Sequence, residues 1–209
     1  MKLYYAETLN PRKSCAVAKY LGSPVEFVRI ALEHGEHLKP EYLAKNPNGK
    51  VPLLVDGDLI LWESAAIMTH LAVKAGSNLW PSDGAQQVEV MRWLSWDLAH
   101  FSRHGGALYF ENYVKPAIRM GETDAAVVAE ATKFFKRFAG ILDEHLADRR
   151  YLVADQLSLA DFAVASVLPW AKEAKLPLEG FTHIVRWHDR MMELPAWREP
   201  FPTPLSAAA

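Results

Sequence analysis

The sequence predicts an α/β domain followed by an all-helical domain. Over residues 1–76, short apolar runs alternate with helical patterns. Residues 77–85 then carry Ser, Asn, Pro, Asp and Gly in the manner of a linker. Beyond them, strand signals largely stop and helix-favouring stretches take over, so residues 86–209 are expected to form an all-helical domain that ends in a short Pro/Ala tail after Glu199.

The elements follow in order. Residues 2–6 read as a strand. Residues 11–21 read as a helix, with Pro11 suited to the first turn and Gly22 to the stop. A second strand is expected at 25–30 and a short helix at 40–45. Strands at 51–55 and 59–62 flank Asp56-Gly57-Asp58, a strong hairpin signal. A helix at 64–74 ends near Gly76. The order is β-α-β-α-β-β-α. In the second domain, 86–113, 124–146, 159–172 and 183–193 favour helix. On the first of these, Val88, Met91, Leu94 and Leu98 form the expected core stripe.

Composition excludes several function classes. Half of the residues are apolar, enough for a sizeable core. Lys and Arg number 23 against 25 Asp and Glu, a net charge of -2. No general field draws in nucleic acid or anionic lipid, so neither is an expected partner. No apolar stretch approaches the roughly 20 residues of a membrane span. The chain opens directly on a strand pattern without a leader, and the expectation is a cytoplasmic protein. Cys15 is the single cysteine, so a dithiol redox motif and a cysteine zinc site are excluded. His100 and His104 are four apart on a helix, but Phe101 stands where the helical zinc signature needs Glu; no metal is expected.

Two regions carry candidate chemistry. The first is the turn after the opening strand. A helix N-terminus there presents N–H groups and a positive dipole end, which favours an anion or a thiolate. Thr8 could donate its hydroxyl, Asn10 its amide, and Arg12 adds a fixed positive charge. Equally, Asn10 before Pro11 is an ordinary N-cap and Thr8 an ordinary turn residue. The second region pairs Val51-Pro52 with Glu63-Ser64. An exposed Val51 backbone could pair with a peptide ligand as an added strand. Ser64 can offer hydroxyl and N–H to a carboxylate, and Glu63 can accept from an ammonium group. Singly, Ser64 is also a helix cap and Glu63 a complement to the helix dipole.

The combination is more specific. Asn46-Pro47-Asn48-Gly49-Lys50-Val51-Pro52-Leu53-Leu54, then Asp56-Gly57-Asp58, then Leu61-Trp62-Glu63-Ser64-Ala65-Ala66-Ile67 resembles the glutathione-site signature of cytosolic glutathione transferases. The element order resembles their thioredoxin-like domain. Leu157-Ser158-Leu159-Ala160-Asp161 resembles their buried capping box, with Ser158 at the cap and Asp161 three residues on. The resemblance spans essentially the whole chain.

It implies roles residue by residue. Val51, before what would be a cis Pro52, would bind the cysteinyl backbone of glutathione. Glu63 and Ser64 would hold its γ-glutamyl end. Lys50, and more weakly His37 or Lys39, would reach the glycyl carboxylate. Thr8-Leu9-Asn10 resembles the Thr-x-Asn pattern of the bacterial Nu class. The sulfur donor is ranked Thr8 first, Asn10 second and Tyr5 third, while Cys15 reads as a core residue. Trp96, His100 and Tyr109 are the candidates for the electrophile pocket. The resemblance further implies a glutathione-dependent enzyme acting on a hydrophobic electrophile, a peroxide or a disulfide, in a homodimer formed across 64–74 and 86–113. A non-catalytic binding module of the same fold is the alternative.

Overall fold

A computed structural model of the protein describes residues 1–202. They divide into two compact units, 1–77 with the segment from Leu194 onward, and 78–193.

The first unit contains β1 (Lys2–Tyr5), α1 (Leu9–Tyr20), β2 (Glu26–Arg29), α2 (Pro40–Leu43), β3 (Leu53–Asp56), β4 (Leu59–Trp62) and α3 (Ser64–Lys74). The element order is the expected one, with two 3-10 turns added at Leu32–His34 and Glu36–Leu38. The sheet order is β2-β1-β3-β4. β1 runs parallel to β2, with Leu3 opposite Phe27, and antiparallel to β3, with Leu3 opposite Leu54. The β3–β4 hairpin closes through Gly57 at φ 60, a backbone state that glycine adopts without a Cβ penalty. Leu3, Leu53 and Leu54 from the sheet and Ile67, Met68 and Leu71 from α3 are buried. Each such side chain contributes about 1.5–3 kcal/mol. Cys15 lies fully buried in α1, and burial pushes its thiol upward, which suits a core residue.

α1 starts two residues earlier than the proline suggested. Thr8 is its N-cap, with extended φ of -131, and Asn10 lies inside the first turn.

The second unit contains α4 (Gly84–Trp96), α5 (Ser102–Tyr109), α6 (Lys115–Ala117), α7 (Ala125–His145), α8 (Leu159–Val164) and α9 (Thr182–Met192). The helix expected at 86–113 is interrupted by π turns at Asp97–Phe101 and Phe110–Val114. Asp97, fully buried in the first of them, accepts a 2.5 Å bond from the Ser102 hydroxyl. The expected core stripe needs correction. Val88, Met91 and Leu98 are exposed, and the buried positions are Val90, Trp93, Leu94 and Phe101. The helix carries apolar residues on two faces, and periodicity does not say which one faces the core.

α7 buries Ala131, Phe135, Ala139 and Leu142 along one face and is capped by the Asp124 carboxylate. Gly105 of α5 is required by close approach, since a Cβ there would meet Val167 at 3.0 Å. The helix expected at 159–172 is α only through Val164 and continues as a 3-10 turn, Ala165–Trp170, that contains Pro169.

The capping box opens α8. Asp161 is fully buried and accepts from the Ser158 N–H and hydroxyl, the Leu152 N–H and the Trp187 indole. Burial raises its carboxyl to about 6.

α10 (Pro195–Arg198) packs on α1, so the described residues from Leu194 group with the first unit rather than with the helical domain expected over 86–209. Residues 203–209 of that expected domain lie outside the described residues. Trp197, fully buried, explains the grouping. Among the described residues no helix is long and apolar enough to cross a membrane.

Candidate functional site

The site is built from the loop before β3 and the first turn of α3. Asn46 is buried, and its amide nitrogen donates to the Lys50 carbonyl at 2.7 Å. The Tyr42 hydroxyl donates to the same carbonyl at 2.6 Å. Burial pushes that hydroxyl up to about 12, so it remains a donor through the neutral range. The Asn46 side-chain Oδ1 in turn accepts from the Asn48 N–H and side-chain amide. Gly49 completes the turn at φ 58, where a Cβ would meet a Leu38 methyl at 3.1 Å. These bonds fix the path of the chain into Val51-Pro52, whose peptide bond is cis.

Across from this loop, Glu63 sits immediately before α3 at φ 72 and ψ 121. A non-glycine residue held there costs about 1–3 kcal/mol, and such strain concentrates at ligand sites. Ser64, the first residue of α3, is buried.

One cavity of about 230 Å³ lies between these pieces, lined by Asn10, Asn46, Asn48, Lys50, Val51, Pro52, Glu63 and Ser64. Six of the residues singled out from sequence therefore meet at one place: Asn10, Lys50, Val51, Pro52, Glu63 and Ser64. The lining offers amides, one cation, one carboxylate and a helix N-terminus. Such a set matches a small zwitterionic peptide. Asn46 and Asn48 lie in the signature stretch, yet the sequence implies no individual role for either, because Asn is common in turns for its local hydrogen bonding.

The other candidates lie elsewhere. Thr8 is not part of the lining; its hydroxyl makes no capping bond to α1. His37 is half-buried in a 3-10 turn, and its Nδ1 has no partner. Lys39 faces Glu36 at 3.9 Å and lines a separate hollow with Tyr4, Ile30 and Tyr42. Tyr5 is buried against Phe27 and Phe201, and burial raises its hydroxyl.

In the second unit, Trp96 stacks on Phe101 with centroids 5.8 Å apart, and His100 stacks on Phe138 at 4.6 Å. His104 continues the same layer against Phe134 at 5.0 Å. Tyr109 belongs to a different cluster, 5.5 Å from Tyr113 and 5.4 Å from Trp170. Thirteen residues of helix place it roughly 20 Å from Trp96 along the axis. The three pocket candidates thus fall into two groups, and Tyr113 and Trp170 join the second without having been anticipated. Among the described residues no group of three His, Cys, Asp or Glu side chains comes together to hold a metal.

The chain is similar to known proteins over nearly its whole length. The family model "Glutathione S-transferase, N-terminal domain" matches residues 1–73, and "Glutathione S-transferase, C-terminal domain" matches 105–195. Glutathione S-transferase 3 of Zea mays is 33% identical over 98% of this chain and 97% of its own. Glutathione S-transferase GstB of Escherichia coli strain K12 is 31% identical over 94% of this chain and 95% of its own. The structure of glutathione S-transferase-I bound with lactoylglutathione superposes with a TM-score of 0.85 at 30% identity, covering 95% of this chain and 97% of that one.

Proposed function

The chain belongs to the glutathione S-transferase family, and on that premise we propose that its cavity binds glutathione and directs the thiolate at an electrophile, a peroxide or a disulfide. The observation that carries this reading is the convergence of Lys50, Val51, Pro52, Glu63 and Ser64 on one cavity. The Val51 backbone pairs with the cysteinyl residue in the manner of a strand. Glu63 accepts from the γ-glutamyl ammonium, and Ser64 with the α3 N-terminus holds its carboxylate. Lys50 neutralises the glycyl carboxylate. His37 and Lys39 are secondary to it, given their positions outside the lining.

The sulfur needs a donor. A free thiol has a pKa of about 8.5, and a hydrogen bond to the thiolate together with a helix N-terminus lowers it. The lining favours Asn10 for this role, with Thr8 second and Tyr5 third. The proton leaves to solvent, and the thiolate attacks. Trp96, His100 and Tyr109 remain the proposed contacts for the second substrate.

Homodimeric assembly belongs to the same proposal. Val88, Met91 and Leu98 are exposed in the second unit, and Ile60, Trp62 and Val73 in the first. Exposed apolar residues in such numbers fit burial against a second copy. Cytoplasmic location is proposed with it, on the buried free thiol of the one cysteine.

The test combines calorimetric titration with glutathione and turnover of an aryl halide, an organic hydroperoxide and a mixed disulfide. Binding with turnover of at least one of the three is expected. Absence of glutathione binding would overturn the reading; binding without any turnover would favour the non-catalytic module.

A further inference from the structure

The segment beyond α9 lies lengthwise along α1, and three side chains fasten it. Arg12 donates from Nη2 to the Trp197 carbonyl, and its guanidinium sits 4.8 Å from the Trp197 ring centroid. Lys19, seven residues further and on the same face of α1, donates to the Glu199 and Phe201 carbonyls at 2.7 Å each. The Phe201 ring stacks on Tyr5 with centroids 5.8 Å apart.

Arg12 differs from the other two. It is 6% exposed, and its Nε has no hydrogen-bond partner. Its acceptors are a carbonyl and a ring face, and among the described residues no carboxylate is seen paired with it. Burial lowers it to about 10, which leaves the guanidinium charged at neutral pH. A buried cation without a counter-ion is unfavourable unless a negative charge forms nearby. Arg12 lies one helical turn, about 6 Å of axial rise, beyond Thr8 at the N-cap. Asn10, two residues before it, lines the cavity proposed for glutathione.

We propose that Arg12 is a positioning residue for the glutathione thiolate, held by the C-terminal segment through the Trp197 carbonyl. Its side chain turns toward Trp197 and is not part of the cavity lining, so it does not touch the substrate. It acts in two ways. It fixes the first turn of α1, and hence Asn10. Its buried charge adds to the positive end of the helix dipole and favours thiolate over thiol. The thiol proton goes to solvent in this step, with no other change of bonding. The proposal rests on the glutathione reading above.

The test compares the wild type with Arg12→Gln, which is neutral but can still donate to the Trp197 carbonyl, and with Arg12→Lys, which keeps the charge. The readouts are the thiol pKa of bound glutathione, by ultraviolet thiolate absorbance, and the pH profile of kcat/KM for conjugation. R12Q is expected to raise the bound thiol pKa by about one unit, lowering kcat/KM about tenfold near pH 6.5 and little near pH 9. Measured at a pH below the bound thiol pKa, where glutathione binds as the thiol, its Kd should change less than about threefold, and R12K should keep the wild-type profile. A wild-type profile in R12Q, or a loss uniform across pH that tracks a fall in Tm, would overturn the proposal. So would a wild-type complex whose bound thiol keeps the pKa of free glutathione, a result that needs no variant to fold. A wild type that binds no glutathione would instead overturn the reading on which the proposal rests.

Discussion

The Asn46 amide and the Lys50 carbonyl are joined by a 2.7 Å hydrogen bond that spans the turn before the cis Val51-Pro52 bond. With the Tyr42 hydroxyl on the same carbonyl, the loop has two fasteners at one atom. Asn46→Ala removes one of them and leaves the Asn48 amide without its acceptor. Glutathione KM should rise about tenfold with kcat at saturation nearly unchanged, alongside a loss of about 1–3 kcal/mol in stability. Steady-state kinetics against glutathione check this. An unchanged KM would show that the loop does not need the bond.

Glu63 combines a proposed binding role with a strained backbone at φ 72. Glu63→Gly should separate the two. Glycine accepts this conformation, so Tm should rise, by an amount equivalent to about 1 kcal/mol. The carboxylate is lost with it, and glutathione affinity should fall about tenfold or more. Calorimetric melting and titration of the same variant test the pair. A variant that is both less stable and equally tight-binding contradicts both halves.

Ser64→Ala probes the opposite charge of the same ligand end. Its hydroxyl and N–H are proposed to hold the γ-glutamyl carboxylate, and bonds to charged groups contribute about 1.5–3 kcal/mol. A ten- to hundredfold rise in Kd is expected, while γ-glutamyl-free thiols should bind equally to both proteins. Equal loss for both ligand types would mean that Ser64 acts only on the fold.

His104 and His145 predict a pH dependence of stability. Burial is the main cause that lowers both below the ordinary 6.5, with Arg103 adding to it at His104 and Arg149 at His145. At His145 a bond to the Leu152 carbonyl opposes the shift. As pH falls through 6.5, the unfolded chain takes up protons that the folded chain refuses. The contribution of the two histidines to stability is therefore full above that pH and declines below it. Asp161, raised to about 6, takes up its proton in the folded chain over the same window and works in the opposite direction, so the check is a difference: between about pH 7 and about pH 5.5, His104→Gln should lose less Tm than the wild type. Parallel slopes for the two proteins would remove His104 from the account.

Asp161 gathers four donors at one buried carboxylate. Asp161→Asn turns an acceptor into a donor against some of them. The loss should be about 3 kcal/mol or more, read from chemical denaturation, with glutathione affinity unaffected at temperatures where the variant is folded. A stability change within about 0.5 kcal/mol would contradict the role.

Legibility in the sequence varied for physical reasons. β4 and α3 begin and end where they were read, because a Gly turn precedes one and Ser64 opens the other. The α4 stripe misled because Val88, Met91 and Leu98 form an apolar face that is exposed within a single chain. The π turns then shift the helical register after Trp96, so a pattern counted from Val88 no longer tracks one face by Phe101. α10 has four residues, too few for a period to register. In the cavity, charged and hydroxyl side chains were legible through their pairing, whereas Asn46 and Asn48 were hidden by their fitness for turns.

Arg12 and Trp197 are 185 positions apart, yet they belong to one compact unit. On the ribosome, the β1–α3 part of that unit emerges before the helical unit and cannot be finished until Trp197 has followed. The helical unit is continuous in sequence and is free to fold in between. Contacts of such long span slow folding, because loop closure must precede them. A nascent chain stalled before Trp197 would thus display an unfinished α1 surface.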